Sequence, residues 1–375
     1  MGWNSWNTFG KEIHEDVVKQ TANTLIDQGL RDLGYRYICI DDFWQGERDS
    51  SGRPHPHPDK FPSGMKALGD YLHERGFYFG MYSDAGDRTC GGVFGSLGYE
   101  EIDAQTYADW GVDYLKYDYC HAPTDRATAI ERYTRMGKAL RATGRPIVYS
   151  VCEWGDRQPW LWASQAGGHL WRTTGDIWDS WCDGKSGFQY GIEKIGFDLQ
   201  RGLEQYARPG AWNDLDMLVV GMRGKGNTAD GTGCTTEEYR TQFSLWCMLA
   251  APLLIGGDVR QMDAESLGIL KQAPLIAINQ DALGRQGFRS ALRVRTEIYQ
   301  KPLLFGEVAV AFFNRDHHGT VLASILPVDL GLSGEYQVQE LWSGEALGVF
   351  SSEAPLTAQP APHGCRVFRL SPVGR

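Results

Sequence analysis

Over roughly its first 285 residues the chain repeats one pattern of apolar and polar positions. A short apolar run ends in polar residues, a segment with apolar positions three and four apart follows, and a glycine closes the unit. The runs are Met1–Trp6, Tyr37–Asp42, Tyr78–Asp84, Tyr114–Cys120, Ile147–Glu153, Leu170–Asp176, Ala211–Met217 and Leu253–Asp258. Each reads as a strand, and the spaced segments read as amphipathic helices. Val18, Ala22, Leu25 and Ile26 mark the first helix; Met65, Leu68 and Leu72 mark the second. Ser63 is placed to cap the second helix, and Gly76, Gly111 and Gly144 fall just past three helix ends. Strands alternating with helices imply a parallel sheet, and eight units favour a closed (β/α)8 TIM barrel over a doubly wound sheet.

From about Gly287 the pattern changes. Glu297–Leu303, Val308–Asn314, Thr320–Leu326, Tyr336–Trp342 and Cys365–Leu370 read as strands between turns rich in Gly, Pro, Asp and Ser. The expectation is an α/β chain whose catalytic barrel spans residues 1–287. A small C-terminal antiparallel β-sandwich, with a structural role, then spans 288–375. A length of 375 residues suits a barrel of roughly 250 residues plus a smaller domain.

Composition narrows the chemistry. A formal charge of −10 argues against nucleic acid as a partner, because phosphate binding needs a basic surface. No apolar run is long enough to span a membrane. The eight cysteines form no CxxC pair or zinc spacing, so no metal and no cofactor are expected. Neither a secretory signal nor an Asn-x-Ser/Thr acceptor is present; a cytoplasmic microbial protein is the simplest reading, and a secreted one if a signal was removed. Homo-oligomerisation is left open. Thirteen Trp and 17 Tyr are many for this length, and flat rings stack on the apolar faces of sugars.

The acids fall where a barrel would use them. Asp41, Asp42, Asp84, Asp118, Glu153, Asp176, Asp214, Asp216 and Asp258 sit at the C-terminal ends of predicted strands, the end that carries the active site in this fold. A single acid there is more often a helix cap, and Asp258 has that reading. A whole ring of them, with Lys116 and Arg172, suits divalent metal binding, metal-assisted proton abstraction or glycoside hydrolysis. No histidine lies at a strand end, whereas Trp6, Trp44, Trp154 and Met217 interleave with the acids. That pattern favours a sugar ring over a hydrated cation.

Seven motifs then occur in order: Met1-Gly-Trp-Asn-Ser-Trp6, Ile40-Asp-Asp-Phe-Trp44, Tyr82-Ser-Asp-Ala-Gly86, Lys116-Tyr-Asp-Tyr-Cys120, Cys152-Glu-Trp154, Arg172-Thr-Thr-Gly-Asp176 and Trp212-Asn-Asp-Leu-Asp-Met217. Together they resemble glycoside hydrolase family 27, the α-galactosidases and α-N-acetylgalactosaminidases. The resemblance runs from Met1 to about Gly287, through Ala277-Ile-Asn-Gln-Asp281, and implies the same barrel and β domain. It implies Asp118 as nucleophile and Asp176 as acid/base of a retaining exo-glycosidase. Asp41 and Asp42 would hold O4 and O6 of galactose, Lys116 would reach O3 and O4, and Glu153 and Arg172 would lie near O2 and O3 with Asp216 beside the arginine. Trp6, Tyr82, Trp154 and Met217 would line the pocket, and Cys90 and Cys120 would form a disulfide between two active-site loops. The implied partner is a galactoside or oligosaccharide.

A retaining double displacement needs one ionised and one protonated acid, with carboxyls roughly 5 Å apart. Lys116 is expected to favour the Asp118 anion, and that anion to hold the proton on Asp176. Retention of Glu153 favours a free 2-OH over the N-acetyl sugar, and retention of both Asp41 and Asp42 favours galactose over arabinopyranose, which has no C6 arm. A galactose-binding protein without catalysis is the non-enzymatic alternative. Leu215 stands where the family commonly has proline, an exchange expected to loosen its loop.

Overall fold

A computed structural model describes residues 1–183 and 189–374; residues 184–188 and 375, which fall in the expected barrel and β domain, lie outside the described residues. All eight predicted barrel strands form, β3 over its whole apolar run and the other seven shorter than theirs: β1 (Gly2–Asn4), β2 (Tyr37–Cys39), β3 (Tyr78–Asp84), β4 (Tyr114–Asp118), β5 (Val148–Val151), β6 (Leu170–Arg172), β7 (Trp212–Asp214) and β8 (Leu254–Ile255). Seven parallel pairings join them in the order β7-β6-β5-β4-β3-β2-β1-β8. The ring closes through a parallel bridge from Leu218, just beyond β7, to Ile255 in β8. Parallel strands are covered on both faces, which is why β3 is buried from Phe79 to Asp84.

Helices follow β1, β2, β3 and β4 as the periodicity predicts, at Glu15–Asp27, Gly64–Glu74, Glu100–Asp109 and Arg126–Ala142. Gly76, Gly111 and Gly144 all adopt positive φ just past a helix end, where only glycine is free of Cβ strain. Ser63 does not cap its helix. Its N–H and hydroxyl donate instead to the Glu15 carboxylate at 3.0 and 2.7 Å, tying two helices together. The repeat also lapses after β5 and β6, where a 3-10 turn (Pro159–Leu161) and a π turn (Lys194–Asp198) replace full helices. Asp258 is not a cap either: it pairs with Arg260 at 2.8 Å, while Asp263 caps Ala264–Leu270.

The β domain is a six-stranded antiparallel sheet packed with a two-stranded one, Ala323–Ile325 with Leu356–Ala358. Phe288–Arg293 and Ala346–Ser351, absent from the sequence reading, are the edges of the large sheet. Neither is buried on one clean face, so their apolar alternation is weak. Among the described residues no helix is long and apolar enough to cross a membrane.

One helix holds the two units together. Thr236–Met248 opens with a capping box of Thr235 and Glu238, and ten of its 13 residues are buried, as expected of a helix covered on all sides. Toward the barrel, Trp246 donates to Asp216 O at 2.9 Å and Gln242 donates to Met217 O at 3.1 Å. Toward the β domain, Trp342 donates to Ser244 Oγ at 3.0 Å and Thr241 donates to His363 O at 2.6 Å. A second tie is ionic: Glu297, 2 % exposed, lies 2.7 Å from Arg315, 3.3 Å from Arg201 and 3.5 Å from Arg289, and Arg315 also reaches Glu193 and Asp198. Removing a buried partner strands the facing charges, so Glu297→Ala is expected to cost about 3 kcal/mol. Calorimetry should show the single unfolding transition broadening or splitting as the β domain loosens.

Candidate active site

The strand-end acids converge at the C-terminal mouth of the barrel. Asp41 and Asp42 follow β2. Asp41 Oδ2 accepts from Lys116 Nζ at 2.8 Å and from Asn4 Nδ2 at 2.9 Å; Ser5 and the Asp42 amide complete its surroundings. Asp42 accepts from the Phe43 and Gly91 amides, both at 2.8 Å. A Cβ at Gly91 would stand 2.7 Å from Asp42 Oδ2, so this approach requires glycine. Trp6 lies near-parallel to Phe43, with centroids 6.2 Å apart, at the edge of this corner.

Asp118 ends β4, 5 % exposed. Its Oδ1 accepts from the Tyr119 amide at 3.1 Å, and its Oδ2 lies 3.7 Å from Cys90 Sγ. Cys90 and Cys120 form the expected disulfide, which ties the loop after β3 to the end of β4. Asp84, Cys90, Asp118 and Cys120 offer close potential ligands for a metal, but the two sulfurs are committed to each other. Asp84, fully buried beneath, accepts from the Gly86 and Cys120 amides at 2.6 and 2.9 Å. Tyr82 is also buried, with Lys116 Nζ 5.2 Å above its ring.

Arg172 organises the opposite wall. One terminal nitrogen lies 3.1 Å from Asp176 Oδ1 and 3.0 Å from Asp216 Oδ2, and it also donates to the Thr174 and Gly175 carbonyls. Asp216 takes a left-handed conformation (φ 72°) and accepts from the Ile177 and Met217 amides, both at 2.9 Å. These contacts brace the loop around Leu215. Leu215 is fully buried, and the Asp216 amide donates to Asp214 at 2.9 Å. Met217 borders a small internal space with Lys116, Arg172 and Asp216. Asp176 is the open member of the cluster, with 46 % of its side chain exposed.

Glu153 stands apart from this contact network. It is fully buried, its Oε2 accepting from the Arg157 amide at 2.8 Å and guanidinium at 3.1 Å, while Oε1 has no partner among the described residues. Trp154, beside it, is half-buried at φ 59°. The sequence reading missed Asn4, Gly91 and Arg157. Asn4 lies inside a quoted motif and Arg157 four residues from Glu153, whereas a backbone donor such as Gly91 leaves no chemical signature in sequence.

Burial dominates the electrostatics. It pushes the Asp118 carboxyl up to about 7; Lys116 opposes the rise and Asp176 adds to it. Burial likewise lifts Glu153 to about 7 against Arg157, and Asp214 to about 6 against Arg172. Lys116 loses stability as a buried cation, yet nearby anions, Asp41 foremost, outweigh this and carry its pKa well above the ordinary lysine range.

A cavity of about 390 Å³ lined by Tyr37, Tyr114 and Trp212 opens at the other end of the barrel, away from this chemistry. Residues 1–281 match the family described as alpha galactosidase A, and residues 295–370 match the alpha galactosidase C-terminal beta sandwich domain. The chain is 42% identical to alpha-galactosidase A of Cellvibrio japonicus, over 99% of this chain and 91% of that one. It is 44% identical to the alpha-galactosidase of Cyamopsis tetragonoloba, over 99% and 86%. The structure of the Saccharomyces cerevisiae enzyme with raffinose superposes with a TM-score of 0.92 at 32% identity, covering 99% of this chain and 97% of that one. An eight-stranded barrel with a ring of acids at its mouth, matched end to end in sequence and shape, makes this chain a glycoside hydrolase, a member of the α-galactosidase (melibiase) family.

Proposed function

We propose that the protein is an exo-acting α-galactosidase that works with retention, Asp118 attacking the anomeric carbon and Asp176 serving as acid and then base. The observation that carries the division of roles is the contrast between the two carboxyls. Asp118 is buried beneath the pocket beside a lysine, and Asp176 stands half-open at the rim on Arg172. A nucleophile must approach the sugar from within, while a general acid must reach a leaving oxygen that faces solvent. In the first step the Asp118 carboxylate forms the bond to C1, and the glycosidic oxygen departs with the proton from Asp176. The resulting ester removes the Asp118 charge, so Asp176, now ionised, takes a proton from water as it attacks C1 and releases the sugar.

Galactose as the glycone rests on the β2 corner. Asp41 and Asp42 are oriented acceptors for the axial O4 and the O6 hydroxyl, and Lys116 adds a donor toward O3 and O4. A sugar without a C6 hydroxyl would deprive this buried acceptor pair of one donor, which is unfavourable. Arg172, Asp216 and the orphan oxygen of Glu153 suit the O2 and O3 side, where the fully packed Glu153–Arg157 pair leaves little room for an acetamido group.

Asp118→Ala is expected to abolish turnover, with azide restoring reaction and giving a product of inverted configuration. Asp176→Ala should lose about 10²–10⁴ in rate on alkyl galactosides while retaining activity on aryl galactosides with good leaving groups. Equal losses on both substrate types would refute the assignment.

Stability should also carry the mark of burial. Asp118, Glu153 and Asp214 have folded pKa values above their unfolded ones, so the folded state binds more protons between about pH 4 and pH 7. Their effect is absent below the unfolded values and grows into a destabilisation as pH rises through 6 to 7. Asp118→Asn, isosteric with the protonated acid, should therefore raise the melting temperature by about 2 °C or more at pH 7.5 and leave it unchanged at pH 4. Paired thermal melts at the two pH values measure this.

A further inference from the structure

Asp84 belongs to the ring of strand-end acids, yet neither displacement step uses it. It closes β3 in direct register with Asp118 on β4. Strand alternation puts Tyr82 on one face with Asp84 and Lys116 on one face with Asp118. The Lys116–Tyr82 contact shows that these are the same, inward face. A carboxylate oxygen of Asp84 lies within 4.8 Å of one of Asp118. Asp84 is fully buried, so it serves the site from behind rather than as a sugar ligand. Its two oxygens hold different pieces of chain. Oδ1 accepts from the Gly86 amide at 2.6 Å, in its own turn, and Oδ2 accepts from the Cys120 amide at 2.9 Å. The Ala85 amide donates to Asp118 O at 2.9 Å, so residues 84–86 grip the end of β4 at two points. The fit leaves no slack, since a Cβ on Gly86 would stand 2.4 Å from Cys120 O.

We infer that Asp84 is a positioning residue for the nucleophile, pinning the end of β4 to the turn after β3; the inference rests on Asp118 being that nucleophile. Only a group with two acceptor oxygens takes both amides, and a carboxyl has them in either protonation state. Asparagine has one, and its NH2 would face an N–H. Two acids this close do not both ionise readily, and the Lys116 ammonium acts on Asp118, with Arg172 adding to it. Asp176 and Asp41 oppose the Asp118 charge from the other walls. Burial first, and then the charges of Asp118 and Asp42, push the Asp84 carboxyl well above the ordinary range against its two amides. Its other titratable neighbours, Tyr82 and Tyr117, are phenols that burial holds neutral. The charge of the pair therefore falls on Asp118, and Asp84 is a neutral clamp behind it.

The test measures kcat and KM on an alkyl α-galactoside and on α-galactosyl fluoride, whose leaving group needs no acid, alongside thermal melts. A group displaced by about 1 Å costs about 100-fold in rate. Asp84→Ala should therefore lower kcat about 100-fold on both substrates with KM little changed. Asp84→Asn, which keeps one of the two contacts, should recover about tenfold of that loss. Asp84→Ala protein that melts early yet keeps wild-type kcat while folded would show a merely structural acid and overturn the inference. A loss confined to the alkyl galactoside would also overturn it, since that pattern belongs to Asp176. Where Asp84→Ala fails to fold, Asp84→Asn decides, and wild-type kcat in it overturns the inference. Asp118→Ala that still turns over the fluoride would instead overturn the assignment of the nucleophile.

Discussion

The site depends on one constraint: too many carboxyls are buried together for the cations available. Asp41, Asp42, Asp84, Asp118, Glu153, Asp214 and Asp216 are each 6 % exposed or less, with Lys116, Arg157 and Arg172 packed among them. Moving an isolated carboxylate out of water is far more costly than protonating it near neutral pH. Burial therefore raises the pKa of Asp42, Asp84, Asp118, Glu153, Asp214 and Asp216, each against the pull of its own donors or neighbouring cations. Asp41 shares Lys116, Asp216 shares Arg172, and Asp84 and Asp42 rely on backbone amides. Asp118 receives one amide and a nearby ammonium, which leaves it close to balance between its two forms.

That balance is maintained by rigid surroundings rather than by the acids themselves. The disulfide sets the loop after β3 against the end of β4, and the helix Thr236–Met248 supports the Asp216 and Met217 carbonyls from below. Because the same helix carries the β domain on its other side, the domain with no acid in the site still braces the wall opposite Asp118.

The barrel was legible in the sequence because burial on both faces writes continuous apolar runs, and all eight were found. The helices missing after β5 and β6 were not foreseen, since turns such as Lys194–Asp198 are stabilised by tertiary packing that leaves no period. Edge strands of the β domain escaped for the opposite reason: half-solvated residues need no strict alternation. Among the acids, position at a strand end and motif context marked the cluster. Ser63 misled, because a hydroxyl before a helix can serve a neighbouring carboxylate as well as its own backbone. Local spacing also did not reveal that Glu153 would be fully buried and paired with Arg157.

The Gly91 amide has a consequence for how this pocket can vary. It contacts Asp42 through the backbone, so no exchange except proline deletes the donor, and every exchange adds bulk against the carboxylate it serves. Mutation there cannot tune sugar preference in small steps, as it can at a side-chain ligand. Under the proposed assignment, the Gly91 side of the O4 and O6 corner is fixed by its backbone, whereas Glu153 and Arg157 on the O2 side are exchangeable side chains.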